Sequence, residues 1–258
     1  MTTYTTTYKQ PQYAAEPQSH PFKSPFVWLS EGWNDMIRAP LASAVIGIVF
    51  TALCAAAYAA ATAVPMFSAT LLTTLLFTSP FIAASAYFIA RQRELGQAQS
   101  LRVALRDVRS RAMSIGLFSM MSALVVAIWL RLTSIAFALY YGTLGFSAEE
   151  FAGTLTSGSQ IPSILIFVAV AGAVLMFTLF AIGAIALPLI ADRNQNVITA
   201  VGHGVQTLRH NVPTMVVWML VLLALIVPAL MSGLLLMPIV FPLLAYATWH
   251  SYRQLTNG

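Results

Sequence analysis

The sequence predicts an all-α fold: a polytopic membrane helical bundle of six transmembrane helices, arranged as three hairpins that are each preceded by a cytoplasmic amphipathic helix. Of the 258 residues, 59% are hydrophobic and only 8% are charged, whereas soluble domains carry about a quarter charged residues. The apolar residues also form runs of about 20 or more, the length of helix that crosses a bilayer. A third observation is that basic amphipathic segments recur before pairs of these runs.

The six predicted spans lie in five apolar runs. The last run, Val212 to Trp249, is long enough to cross twice, with a turn at Met231 to Gly233. Both of its spans are therefore expected to be short. The other runs each supply one span, and they are Pro40 to Val64, Ser68 to Ala90, Ala112 to Tyr141 and Ile161 to Ala191.

The N-terminal residues 1–25 are polar, with several prolines and three tyrosines. They contain no apolar stretch of the kind found in a signal peptide, so we expect a disordered cytoplasmic tail. Residues 26–254 are expected to form a single six-span membrane domain. The lone cysteine, Cys54, lies inside the first span and is expected to behave as a small hydrophobic residue.

The distribution of basic residues predicts the orientation. With the N-terminus inside, the cytoplasmic segments contain every lysine and arginine except Arg131, as the positive-inside rule requires. The outer segment carries Glu149 and Glu150, and Arg131 is expected near the outer interface, where it snorkels or pairs with one of these glutamates. We therefore expect both termini in the cytoplasm, with a cysteine at Ser157 labelled from outside and one at Ser110 protected.

The densest basic segment, Ser100 to Ala112, is predicted to be a short amphipathic helix with Ser100 as its N-cap. Its apolar side chains share one face, and Arg102, Arg106 and Arg109 lie elsewhere on the helix. A basic amphipathic helix of this kind lies in the headgroup plane. The three arginines are therefore the candidate contacts for anionic lipid headgroups or for a partner.

Similar amphipathic segments precede the first and fifth spans, and each ends in an arginine followed by a proline. The recurrence predicts three structural repeats, at 26–90, 98–191 and 195–249. Spans three and four are about 30 residues each, or about 45 Å, so residues 137–155 are expected to form a cap beyond the outer membrane surface.

Five segments taken in order carry a family resemblance: "WLSEGWNDM", "SPFIAASAYFIARQRELGQ", "LPLIADRN", "TAVGHGVQTLRHNVPTM" and "ATWHSYR". Over residues 25–254 the chain resembles a bacterial family of predicted integral membrane proteins, domain of unknown function 2189. The resemblance implies the bacterial inner membrane and no established activity. Some relatives carry names that mention cytochrome oxidase, which implies an accessory role in a respiratory complex as one alternative.

No catalytic, cofactor or metal site is predicted. The middles of the spans contain no Asp, Glu, Lys or His, which argues against a proton-driven transporter, and no phosphate-binding, hydrolase or zinc motif is present. An interfacial enzyme would need acidic and histidine side chains to converge at the cytoplasmic boundary. The candidates for that arrangement are Asp107, Asp192, His203 and His210.

Local patterns give further predictions. Asp192 is interpreted as the cap of the following helix, and Trp249 with His250 in "ATWHSYR" as an interfacial anchor. Small residues four apart, Ser43 with Gly47 and Ala55 with Ala59, predict close packing by span one. Span two carries hydroxyl side chains that are expected to bond to neighbouring helices or to their own backbone rather than to line a path. These are Thr70, Thr73, Thr74, Thr78, Ser79 and Ser85.

The leading functional hypothesis is a non-enzymatic accessory, assembly or membrane-organising protein. A transporter or channel for a small uncharged solute is the main alternative. The expected partners are the lipid bilayer, anionic headgroups, and a membrane protein or a second copy of the chain. Nucleic acid is not expected, because the 13 basic residues are shared among tail, loops and helix ends.

Overall fold

The computed structural model describes residues 24–141, 153 and 163–257, and these residues form helices and short turns without a strand. A 3₁₀ turn, Pro65–Phe67, joins the second and third helices. The eight α-helices are α1 Ser24–Arg38, α2 Pro40–Ala63, α3 Ser68–Glu94, α4 Leu101–Ser110, α5 Ala112–Tyr141, α6 Ser163–Arg193, α7 Val197–Met231 and α8 Met237–Asn257.

One end of the bundle carries most of the described arginines, and we call it the basic end. The last turns of α1, α3 and α6 lie there and contain Arg38, Arg91, Arg93 and Arg193. The described chain also begins and ends there, since the side-chain amide of Gln254 approaches the hydroxyl of Ser24 at 3.5 Å in a hydrogen bond.

Among the described residues, five helices are long and apolar enough to cross a membrane: α2, α3 with its preceding turn, α5, α6 and α7. α5 has 30 residues and α6 has 31, so each extends about 15 Å beyond a 30 Å hydrocarbon layer. The predicted cap lies largely outside the described residues, as do Glu149, Glu150 and Ser157. The sixth predicted span is not confirmed.

The last helix differs from the prediction because it starts late. Residues 232–236 form turns, and Gly233 and Leu234 adopt positive φ angles of 66° and 72°. α8 then begins beside the middle of α2, where Phe241 stacks on Phe50 with ring centroids 3.6 Å apart. Its C-terminal half runs beside α1. The C-terminal half of α8 therefore lies at the basic end, beside α1 and the last turns of α3 and α6.

Each amphipathic segment ends at a residue with non-helical backbone angles, directly before a membrane-length helix. The three break residues are Ala39 (φ −123°, ψ 58°), Arg111 (φ −113°, ψ 12°) and Asn211 (φ −128°, ψ 24°). Seven residues before each break stands a small buried residue, and four residues after it stands another buried residue. The first set is Gly32, Ala104 and Gly204, and the second is Ser43, Ile115 and Met215.

The packing follows the same order. Helices α3, α6 and α8 contact one another at the centre, and α2, α5 and α7 each contact two of these central helices. The amphipathic helix α1 packs on α8, and α4 packs on α3. The N-terminal half of α7 packs on α6, where Gly204 faces the backbone of Ile182. Each amphipathic segment thus rests on a central helix outside its own predicted repeat.

Of the two small-residue pairs, one forms a close contact. Ser43 and Gly47 are buried, and a side chain at Gly47 would overlap the backbone of Pro238. The other pair, Ala55 and Ala59, is exposed on the surface of the described bundle. Helix spacing alone could not distinguish them, because the positions of α3 and α8 determine which part of α2 is covered.

The hydroxyl groups of α3 bond mainly to their own helix, which was one of the two predicted arrangements. Each of five hydroxyls donates to a backbone carbonyl three or four residues earlier. Such bonds satisfy a polar side chain inside an apolar helix without a polar path. These five are Thr73, Thr74, Thr78, Ser79 and Ser85.

Candidate functional site

Three carboxylates at the basic end bind side chains from several helices, and we call this arrangement the carboxylate network. Its most buried member is Asp35 of α1, which is 1% exposed. One carboxylate oxygen of Asp35 contacts Nε2 of His250 at 2.7 Å, and the other pairs with the guanidinium of Arg93. Asp35 therefore joins α1, α3 and α8.

The second carboxylate, Asp192, lies in the last turn of α6. Nε of Arg91 donates to it at 2.9 Å, the hydroxyl of Tyr252 donates at 2.9 Å, and the Arg253 guanidinium lies at 3.6 Å. Burial, together with the negative charge of Asp192, raises the pKa of the Tyr252 phenol. The phenol thus stays protonated and serves as a donor that ties α8 to α6.

The third carboxylate, Glu94, ends α3. It accepts a hydrogen bond from the indole nitrogen of Trp249 at 2.9 Å and pairs with Nε of Arg253 at 3.0 Å. The indole of Trp249 is buried and lies nearly parallel to the ring of Tyr87, with centroids 6.3 Å apart. Arg253 bridges Glu94 and Asp192, so the ends of α3, α6 and α8 share one set of polar contacts.

Two local interpretations were wrong. Asp192 does not cap α7, because Asn196 does so by accepting a hydrogen bond from the backbone N–H of Thr199 at 2.8 Å. The segment with Trp249 and His250 is not an exposed interfacial anchor. Trp249 is fully buried, and His250 binds Asp35 inside the bundle.

The predicted arginine surface lies on α4. The hydroxyl of Ser100 caps this helix by accepting from the N–H of Val103 at 3.5 Å, as predicted. Arg102, Arg106 and Arg109 are exposed, and their inward-facing neighbours are buried. Leu105 differs from the expectation, because about half of its surface remains exposed beside the arginines.

Arg111 belongs to the same basic segment but points into the bundle. Its guanidinium donates to the carbonyl of Ile190 at 3.1 Å and lies 5.4 Å from the ring centre of Phe88. Burial lowers the pKa of Arg111, and the neighbouring charge of Arg91 lowers it further. The predicted helix Ser100 to Ala112 included Arg111, whereas the structure places Arg111 at the break between α4 and α5.

Residues 66–192 match the DUF2189 family, described as predicted integral membrane protein. The predicted family resemblance is confirmed over these residues, and together with the five apolar helices it makes the chain a multi-pass integral membrane protein. No curated protein and no solved structure matches the chain.

The DUF2189 match runs from the turn before α3 to Asp192. It includes α4 with the three exposed arginines, as well as Arg91, Glu94 and Asp192 of the carboxylate network. Asp35 and the whole of α8 lie outside the DUF2189 match, although they complete the network. The match is thus shorter than residues 25–254, over which the sequence motifs were recognised.

The four candidates for an interfacial enzyme are not brought together. Asp192 belongs to the carboxylate network, and Asp107 lies 4.0 Å from Arg106 on the same helix. Nδ1 of His210 contacts the backbone carbonyl of Gln206 at 2.9 Å. Within the described ranges, no hydrogen bond or ion pair links any two of Asp107, Asp192, His203 and His210, and no group of three potential ligands could hold a metal ion.

Proposed function

We propose that this chain is a non-enzymatic membrane-organising or accessory protein that binds anionic lipid headgroups at its basic end through Arg102, Arg106 and Arg109. The observation that carries the proposal is a division among the arginines. The three on α4 are exposed, and only Arg106 lies near a carboxylate, that of Asp107 at 4.0 Å. Arg91 and Arg93 are instead paired with carboxylates of the network. Paired charges are neutralised within the fold, so the α4 arginines form the densest group of positive charges available to a ligand.

The contacts of the carboxylate network support a structural role for it. Its members are engaged by arginine, tyrosine, tryptophan and histidine side chains at hydrogen-bonding distance. A general acid or base must reach a substrate proton, and these carboxylates face partner helices instead. The transporter alternative has less support, because the α3 hydroxyls bond to their own backbone.

The proposed orientation places the basic end in the cytoplasm of a bacterial cell, with six crossings arranged as three hairpins. The turns at residues 232–236 and the first half of α8 would complete the sixth crossing. The common register of Ala39, Arg111 and Asn211 supports the predicted threefold repeat. An accessory role in a respiratory complex remains an alternative without a contact that favours it.

Replacing Arg102, Arg106 and Arg109 together by glutamine is expected to weaken retention of anionic lipid. Each basic residue near an anionic surface contributes about 1 kcal/mol, so the triple variant should lose about 3 kcal/mol at low salt if the contributions add. Native mass spectrometry with phosphatidylglycerol measures this retention. The triple arginine-to-lysine variant is the matched control and should retain the lipid.

Unchanged retention in the glutamine variant would contradict the lipid proposal and leave these arginines as orientation signals. Co-purification in mild detergent then tests for a partner protein. A protein that accompanies the parent chain and the lysine variant, but not the glutamine variant, would identify an acidic partner protein as the ligand instead of lipid. An unchanged melting temperature in both variants is required, so that loss of binding is not loss of fold.

The orientation has its own test in intact cells, with single cysteines in a Cys54→Ala background. A membrane-impermeant thiol reagent is expected to label Met66→Cys, because Met66 is exposed at the end opposite the basic end. It should not label Ser110→Cys, which is exposed on α4. Labelling of Ser110→Cys before the cells are opened would contradict the proposed cytoplasmic location of the basic end.

A further inference from the structure

A groove between α3 and α5 lies at the end opposite the basic end. Its polar section has a volume of about 250 Å³ and is lined by Arg131, Thr70, Thr73 and Ser134, together with small and apolar residues. Arg131 is exposed, and among the described residues no carboxylate forms an ion pair with it. A single cation therefore stands among hydroxyl groups at one end of an otherwise apolar helix pair.

The depth of this section is defined by two helices. Arg131 lies 19 residues after Ala112, which is about 28 Å along α5 from its start at the basic end. Thr73 lies 18 residues before Arg91 on α3, or about 27 Å. Because the hydrocarbon layer is about 30 Å thick, both helices place the polar section near the phosphates of the opposite leaflet.

An apolar section continues the groove towards the middle of the bundle. Thr73 and Ala127 line both sections, and the apolar one adds Phe77, Met120 and Leu124. Its volume is about 320 Å³. The two sections of the groove thus follow the layout of a phospholipid. A cationic site lies at the depth of the phosphates, and an apolar channel lies beneath it.

The hydroxyl groups are secondary contacts. Thr73 donates to the carbonyl of Ala69 at 3.0 Å and Ser134 donates to that of Leu130 at 2.9 Å. Their protons are therefore already used, and the guanidinium of Arg131 is the principal donor. Arginine binds phosphate oxygens through two parallel N–H groups, which gives a strong charge-assisted contact.

We propose that this groove binds one phospholipid of the leaflet opposite the basic end. The guanidinium of Arg131 holds the phosphate, and one acyl chain lies along Phe77, Met120 and Leu124. The proposal concerns a different end of the molecule from the α4 arginines and does not depend on them.

The test is native mass spectrometry of the full chain released from bilayers of phosphatidylethanolamine and phosphatidylglycerol. Arg131→Gln removes the phosphate contact, and Ala127→Phe fills the point where the two sections meet. Arg131→Gln is expected to lower the retention of one phospholipid by about tenfold, since a charge-assisted hydrogen bond is worth about 1.5 kcal/mol or more. Ala127→Phe should also lower it, because the ring blocks the path of the acyl chain. Arg131→Lys keeps the charge but loses the two parallel N–H groups, so it should retain more lipid than Arg131→Gln and less than the parent chain.

Leu132→Gln and Ile128→Phe are the matched controls, because each alters an exposed neighbour that does not line the groove. Both should retain the lipid, as should the triple glutamine variant of α4. Retention that survives either Arg131→Gln or Ala127→Phe, with an unchanged melting temperature, overturns the proposal. So does displacement by excess inorganic phosphate, because an acyl chain in the groove should hold the lipid against a free anion.

Discussion

Replacing Asp35 by asparagine is expected to destabilise the protein more than the charge-removing substitutions at Asp107 and Arg131. The substitution leaves the guanidinium of Arg93 and the ring of His250 without their carboxylate, in a site where Asp35 itself is 1% exposed. Removing one partner of a buried pair costs about 3 kcal/mol or more. Equilibrium unfolding in detergent, followed by tryptophan fluorescence, measures the loss.

Asp107→Asn is the matched control for this experiment. Asp107 lies on α4 at 4.0 Å from Arg106, which is largely exposed, and exposed pairs contribute about 0 to 1 kcal/mol. The control should therefore unfold nearly as the parent chain does. Equal effects of the two substitutions would show that the Asp35 contacts do not hold α1, α3 and α8 together.

Replacing Gly204 by alanine is expected to destabilise the protein, although alanine favours a helix more than glycine does. A Cβ at this position would stand 2.8 Å from the backbone oxygen of Ile182. Because that neighbour is backbone, α6 and the N-terminal half of α7 must move apart, at a cost of about 1–3 kcal/mol. The free energy of unfolding should fall even after the helix gains an alanine.

Gly202→Ala supplies a control two residues away on the same helix. A Cβ at Gly202 meets no atom within 4 Å, so the substitution should stabilise the helix by about 0.5–1 kcal/mol. Thermal unfolding of the two variants in one detergent is therefore expected to change in opposite directions. If both alanines stabilise the protein, the close approach of α6 and α7 at Gly204 is incorrect.

The elements that could be predicted are those determined by near neighbours in the chain. The cap at Ser100 and the outward direction of Arg102, Arg106 and Arg109 follow from helical periodicity alone. The lengths of α5 and α6 follow from uninterrupted apolar runs. In each case, residues within one or two helical turns supply the physical cause.

The carboxylate network could not be predicted, because its contacts join distant residues. Asp35 and His250 are separated by 215 positions, and Arg91 and Asp192 by 101. A polar side chain at the end of an apolar run can face headgroups or a neighbouring helix end. The helical periodicity of the sequence is the same in both cases, so it does not distinguish them. For this reason Asp192 was interpreted as a cap, and the segment of Trp249 as an anchor.

The sequence by itself determined the class of molecule: a multi-pass membrane protein whose arginines gather at helix ends. Low charge and long apolar runs are sufficient to predict a membrane protein, because helices with apolar surfaces are stable in a bilayer rather than in water. The tertiary structure alone decided which arginines remain free for ligands and where α8 begins. Those outcomes depend on how closely the helices approach one another. Gly32 of α1 and Gly47 of α2 permit close approach to the backbone of α8, at Ala247 and Pro238.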